Sequence, residues 1–572
     1  MSKAARLALV AVLAATALPA SAQASSVGLS GGAELRYDAG AGEANAVTIS
    51  RGALVYTIDD PGVAITPTAP CAAVDADTAT CPAPAVQQIT VSLDDGNDAG
   101  TIGPSVSLVD VSLRGGPGDD RLTGSDANDD FLAGEAGADT LAAVGGNDRL
   151  SGGDGDDTAD GGNGSDFFDG GAGADTTRGG PGDDTLDAGT TADGPDALSG
   201  GPGDDRVSYN SRNAAVTVSL DGVRGDGEAG ENDNVGSDVE RLDGGHGGDR
   251  LAGSAADNTF FASDGNDTVD GAAGDDNLIG SAGDDTLRGG DGDDELSGDR
   301  GVDAVDGGAG DDSIFSGNAD DEPDRMAGGD GTDLVSYGGA NDGVRVTLDG
   351  IADDGVPGER DNALADIEDV VGSARADVLI GSASANELTG GDGDDSLAGG
   401  AGADGLHGDR GEDALDGGPG IDSIAGDAGA DFLRSRDGSA DLAACGGGED
   451  TVVGDPADDA RRDCERVSRG VAIATRSARL GGRSVRLRLR CPAAEGASCR
   501  GQLVLTRKTK RLGARRYSIA PGRSAAVRVR LSRPARRSLR RAGRLRASAT
   551  AELRDAAGSR VRTRRVVTLR AR

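Results

Sequence analysis

Gly289–Asp306 reads GGDGDDELS followed by GDRGVDAVD, two nine-residue units of the form G-G-x-G-x-D-x-U-x, where U is a large apolar residue. The unit recurs from about Gly115 to Arg434, and nearly every other feature of the chain interrupts or flanks it. Phased copies begin at Gly115, Gly134, Gly152, Gly161, Gly170, Gly179 and Gly200, then at Gly244, Gly271, Gly280, Gly289, Gly298, Gly307 and Gly328. A third block runs from Gly372 through Gly390, Gly399, Gly408, Gly417 and Gly426. Composition alone would describe a disordered acidic linker. The strict phase of the apolar position describes a folded repeat instead.

Small residues at positions one, two and four admit a tight turn whose backbone angles exclude other side chains. The tail x-U-x leaves about three residues of strand, with U on one side. Such a unit cannot fold alone. Burying one Leu or Val contributes roughly 1.5–3 kcal/mol, whereas ordering each residue costs about 1–2 kcal/mol of backbone entropy. Stacking adds strand hydrogen bonds, yet the turns bring carboxylates together, and something must neutralise them. A hard cation taking six to eight oxygens from carboxylates and carbonyls suits this composition, and Ca²⁺ suits it better than the stricter octahedron of Mg²⁺. Softer metals do not fit a repeat tract with no Cys and only two His.

On these residues the chain resembles the RTX, or haemolysin-type, calcium-binding repeats over more than half its length. The resemblance implies an all-β fold: a parallel β-roll solenoid with two nonapeptides per coil, Ca²⁺ held in the turns, and small β domains flanking it. It also implies that the position-six Asp is a ligand and that turn carbonyls complete the shell. Carried onto this chain, the ligands of residues 115–208 are Asp120, Asp139, Asp148, Asp157, Asp166, Asp175, Asp184 and Asp205. Those of residues 244–336 are Asp249, Asp267, Asp276, Asp285, Asp294, Asp303, Asp312 and Asp333, and those of 372–434 are Asp377, Asp395, Asp404, Asp413, Asp422 and Asp431. Some units depart from the pattern: Asn258 and Asn386 at position six, Ala159 and Thr177 at the apolar position, and an overlong unit after Gly124. Weak or missing sites are expected there.

The 572 residues carry a net charge of −43, and its distribution is polar. From Arg469 to Arg572 there are 31 Arg and Lys against three acids, a net of +28, which leaves −71 on the remainder. Aromatics make up 2% and Trp is absent, which excludes aromatic-rich cores and base-stacking platforms.

Residues 1–22 read as a secretory signal: Lys3 and Arg6, the apolar run Leu7–Leu18, and an A-x-A site at Ala20-Ser21-Ala22. No other segment reads as membrane-spanning. A secreted or cell-surface location follows, where calcium modules work at roughly 10⁻⁴–10⁻³ M. This departs from the many RTX proteins exported in one step through an uncleaved C-terminal signal, which the Arg-rich C-terminus does not resemble. Residues 23–114 read as a small β region. The cysteines fall in three close pairs, Cys71/Cys81, Cys445/Cys464 and Cys491/Cys499, as expected of local disulfides in an exported protein. Zinc is the rival reading, without a C-x-x-C or a nearby His to support it.

A longer period overlies the short one. Residues 209–243 recur as 337–371, so that Tyr209, Asp226, Glu231, Asp233 and Glu240 correspond to Tyr337, Asp354, Glu359, Asp361 and Glu368 at a constant offset of 128. Each copy carries a V-x-V-x-L strand with one buried face, and its acids either hold Ca²⁺ or are solvated. Residues 435–467 read as a solenoid cap stapled by Cys445–Cys464. Residues 468–572 alternate apolar and basic, an antiparallel β domain with Arg on its outer face and a short helix at Pro534–Arg541.

No catalytic constellation is present. Neither H-E-x-x-H nor G-x-S-x-G occurs, and His246 and His407 occupy variable repeat positions. The expected function is that of an exported, non-enzymatic calcium-binding protein. The alternative is an adhesin or matrix component anchored through residues 468–572 to anionic wall polymers or lipids. Nucleic acid is a less favoured target of that patch, and the chain's own acidic solenoid is another.

Overall fold

The computed structural model describes residues 24–571 apart from 31–32, 84–85, 108, 127, 318–321, 436, 455–457, 461–463, 465, 469–471, 474–476, 492–498, 521–522 and 555–559. The signal sequence expected at 1–22 lies outside them. The chain forms two compact units, residues 1–254 and 255–572.

In the second unit the nonapeptides stack as parallel strands. Asn277–Ala282 pairs with Glu295–Arg300, and Thr286–Asp291 pairs with Ala304–Ala309. Asn277 faces Glu295 and Thr286 faces Ala304, so one coil spans 18 residues, two nonapeptides. Alternate units therefore feed two sheets. Leu278, Leu296 and Ile314 form the inner row of one, and Val269, Leu287 and Val305 that of the other, all buried. One apolar residue per nonapeptide builds a thin core, which no single coil could sustain.

The first unit repeats this construction, with Thr140 opposite Thr158 and Phe131 opposite Arg149. Ala159 and Thr177 stay buried at the apolar position and pair in register, so these departures narrow the core without breaking the stack. Parallel stacking also reaches back before the first nonapeptide: Gln88–Ser92 lies beside Asp110–Pro117, and Ala99–Ile102 beside Arg121–Thr123. Ahead of these are the hairpin of Ser25–Ser30 with Glu34–Asp38 and an antiparallel set of Ala46–Arg51, Val55–Asp59 and Thr78–Pro82, tied by the Cys71–Cys81 disulfide.

The two inserts join the stack. Val216–Ser219 pairs in parallel with Arg250–Ala252, and Arg345–Thr347 with Val378–Ile380. The last coils shorten, with Leu442 opposite Asp459 and Thr451 opposite Arg466, and the Cys445–Cys464 disulfide closes this segment.

The C-terminal residues form antiparallel pairs: Ser484–Arg490 with Ser524–Arg530, Cys499–Arg507 with Lys510–Ile519, and Arg544–Arg554 with Arg560–Arg570. Val485, Leu487, Leu489, Val529, Leu505 and Leu569 are buried, while Arg486, Arg488, Arg490, Arg528 and Arg530 point to solvent. A helix, Arg533–Ala542, begins where the Ser532 hydroxyl accepts the Ala535 amide and ends at Gly543. It extends the helix expected at 534–541 by one residue at each end. The third disulfide joins Cys491 and Cys499.

Candidate metal centre

Each turn places its position-six Asp inward. The Asp carboxylates form ladders along the roll, in which Oδ1 accepts the backbone N–H of the equivalent residue one coil earlier. In the second unit Asp276 donates to Asp294 and Asp294 to Asp312 (2.8 and 2.9 Å), and Asp312 donates to Asp333 (3.0 Å). Asp267, Asp285 and Asp303 form the facing ladder. The third block repeats both series, Asp377–Asp395–Asp413–Asp431 and Asn386–Asp404–Asp422. In the first unit the series are Asp120–Asp139–Asp157–Asp175 and Asp148–Asp166–Asp184–Asp205.

The second carboxylate oxygen is different. In Asp120, Asp139, Asp148, Asp157, Asp166, Asp175, Asp184, Asp205, Asp276, Asp285, Asp294, Asp312, Asp333, Asp395, Asp404, Asp413, Asp422 and Asp431, Oδ2 is buried and has no hydrogen-bond partner. Asp267 and Asp303 hold equivalent places in the ladder. Glycine holds position one in most of these turns, with Ala143 in its place before Asp148. A Cβ on Gly289 would collide with Asp294 Oδ2 and would lie 2.6 Å from the carbonyl oxygen of Gly307, one coil on. Carboxylate and carbonyl oxygens therefore crowd the same space beside position one.

Two of the expected ligands stand apart. Asp249 accepts the Val216 and Gly245 amides, and Asp377 those of Val344 and Ser373, so that both oxygens of each are engaged. Asn386 likewise accepts from Ser382, and Asp130 of the overlong unit from Ser125. Position two accounts for the difference. In open turns it has positive φ, as at Gly290 (127°) and even Ser281 (83°); Gly245, Ser373, Ser382 and Ser125 do not, and their N–H turns in to the carboxylate. Position four is Ala127, Arg375 or Ser384 in three of these closed turns. That substitution is the trace the closed turns leave in the sequence, and the closed turn at Gly244, with Gly247 at position four, leaves none. Sequence reasoning also passed over Asp98, Asp441 and Asp450, which extend the ladders beyond the phased units.

Burial without a partner raises the acid's affinity for protons. Desolvation first, then neighbouring carboxylates, push Asp120, Asp148, Asp157, Asp184, Asp276, Asp285 and Asp312 up to about 7. An oxygen in this position takes up either a proton or a cation. Among the described residues no three or more His, Cys, Asp or Glu side chains surround one point, and no cysteine is free. The donor set is therefore single carboxylates with backbone carbonyls, all hard oxygens, which fits Ca²⁺ and not zinc.

In the first insert Asp226 and Asp233 are buried and engaged rather than solvated. Asp226 accepts the Ser219 and Val235 amides, and Asp233 ends a ladder by accepting the Asp196 N–H. Glu240 and Glu368 end the others, accepting from Asp205 and Asp333.

The family model for the RTX calcium-binding nonapeptide repeat matches in eleven stretches, within residues 112–211, 243–322 and 371–440. The chain carries RTX repeats. The two gaps in the match, 212–242 and 323–370, fall on most of the two inserts, and the RTX solenoid is the parallel roll described above. No curated protein matches the chain.

Proposed function

We propose that this RTX chain is an exported, non-enzymatic protein that binds many calcium ions in the turns of its roll and is stabilised by them. The observation that carries this reading is the row of buried, unpartnered Asp Oδ2 atoms repeating coil after coil. Left ionised, each costs desolvation and mutual repulsion; a shared cation reverses both effects, so binding energy becomes folding energy. The ligands are the eighteen open-turn aspartates together with Asp267 and Asp303. The three disulfides accord with an extracellular, oxidising site of action. Equilibrium dialysis of the full chain against Ca²⁺ tests the reading. Uptake of many ions per chain, with Mg²⁺ failing to compete, supports it; uptake of none sinks it.

A specific surface favours the second reading, an adhesin or matrix role. Arg483, Arg515, Arg516, Arg528 and Arg530 line a groove of about 560 Å³ on the C-terminal sheet. Arg536 nearby loses proton affinity first to desolvation and then to the surrounding cations Arg483, Arg530, Arg533 and Arg540. Mutually repelling guanidiniums in an open groove are suited to a polyanion. Retention of the chain on teichoic-acid-type or sulfated polymers, lost with rising salt, would support anchoring; salt-independent retention, or none, would contradict it.

A further inference from the structure

The duplicated insert provides an internal comparison. In the first copy a fully buried guanidinium, Arg212, sits among carboxylates. Its Nη2 donates to Glu231 Oε1 at 2.7 Å and to the Ala188 carbonyl at 2.5 Å, and its Nε donates to the Gly189 carbonyl at 2.9 Å. Nη1 reaches Glu228 and Glu231. Beside it the Tyr209 hydroxyl donates to Asp233 Oδ2 at 3.0 Å. This is a built-in cation that neutralises a buried acidic cluster.

The offset of 128 maps each partner onto the second copy. Glu231 becomes Glu359, Asp233 becomes Asp361, Tyr209 becomes Tyr337, and the carbonyls of Ala188 and Gly189 become those of Ser316 and Gly317. The cation itself is gone: Arg212 becomes Ala340. Glu228 is also lost, to Val356, but Glu322 replaces Gly194, so the acids are as numerous as before. These residues enclose a cavity of about 10 Å³, room for one water or one ion. Its described lining includes Glu322, Asp324, Glu359 and Asp361 and no basic side chain. The Tyr337 hydroxyl is buried against this cavity and, unlike Tyr209, has no hydrogen-bond partner. A Cβ on Gly355 would collide with Asp361 Oδ2 and would lie 2.6 Å from Glu359 Oε2, so these two carboxylates are close neighbours.

We propose that a Ca²⁺ ion takes the place of the guanidinium in the second insert, held by Glu359 and Asp361 with the Ser316 and Gly317 carbonyls and the Tyr337 hydroxyl. The site closes the ladder in which Asp303 donates its amide to Asp324 and Asp324 donates to Asp361, and it differs from the nonapeptide turns in taking Glu359 and Tyr337 from the insert. Carboxylate, carbonyl and hydroxyl oxygens are a calcium donor set, and a double charge serves where a single fixed charge serves in the first copy.

Terbium, a luminescent stand-in for Ca²⁺, tests this on the full chain, because without Trp its emission is sensitised through tyrosine. Tyr337→Phe is expected to lose a component of that emission. Tyr209→Phe, placed identically relative to its own neighbouring turns, is expected to keep it. Ala340→Arg, which restores the guanidinium, is expected to remove the same component while leaving the calcium response of the roll's β signal in place. Arg212→Ala is expected to create a second such site, sensitised by Tyr209. Emission unchanged in both Tyr337→Phe and Ala340→Arg would overturn the proposal and leave water as the occupant. Should Ala340→Arg fail to fold, Tyr337→Phe decides alone. Failure of the turn sites would show separately, as loss of the β response in the unsubstituted chain.

Discussion

Asp294 and Asp377 share position six of the same motif and differ in one oxygen. Asp294 Oδ2 lacks a partner; Asp377 Oδ2 accepts the Ser373 amide at 2.7 Å. Asp294→Asn is therefore expected to lower calcium uptake by the chain. Asp377→Asn is expected to leave uptake unchanged and cost about 1 kcal/mol through a weakened hydrogen bond. Equal effects of the two on uptake, measured by dialysis, would contradict the distinction between open and closed turns. The position-six aspartates were legible because the repeat marks them. What was not legible is whether position two turns its amide in or away. That depends on backbone angle, and the nonglycine residues at position four are its only trace.

The same aspartates fix a pH dependence. Burial and neighbouring carboxylates raise Asp285 and Asp312 to about 7 in the metal-free fold, against about 3.9 in an unfolded chain. Between those limits the native state binds more protons than the unfolded one, so metal-free stability rises as pH falls from about 7 towards about 4 and declines as pH rises again. With calcium the sign reverses, because protons compete for the ligands and affinity drops below about pH 7. Thermal melts in chelator across this range, beside calcium titrations at each pH, check both slopes. Metal-free stability that climbs with pH would be incompatible with buried, unpartnered carboxylates.

At the scale of elements, the 18-residue coil follows from a nonapeptide with a single apolar residue, since two such units are needed to enclose a core from both sides. The inserts were legible as a duplication and as half-buried strands, but not as members of the stack. Nothing in V-x-V-x-L specifies its neighbour, and Val218 finds Leu251 only in the fold. Arg212 was missed for a related reason: one arginine in a loop carries no pattern, and its role is apparent only from the carboxylates around it. The terminal coils lose the 18-residue spacing, and the Cys445–Cys464 disulfide joins them. Replacing both cysteines by serine is expected to cost about 2–4 kcal/mol and to release the amides of 442–454 to hydrogen exchange before those of 277–309. Simultaneous release would show that the link does not hold the end of the roll.

For the whole molecule, the solenoid was legible because a strict period repeated over hundreds of residues leaves few alternatives. Its start was not. Gln88–Ser92 and Ala99–Ile102 stack like any coil without a glycine turn to announce them, since backbone pairing needs only extended chain and a complementary edge. The balance of the chain is the larger consequence: −71 on residues 1–468 and +28 on 469–572, an acidic body whose buried carboxylates call for protons or for counter-charge. Above pH 7, on our proposal, external calcium supplies that charge. Far-UV circular dichroism of the full chain during a Ca²⁺ titration at pH above 7, with Mg²⁺ alongside, measures this directly. A cooperative gain of β signal with Ca²⁺ and none with Mg²⁺ is the predicted result. A β signal already complete in chelator, or absent at every calcium concentration, would contradict it.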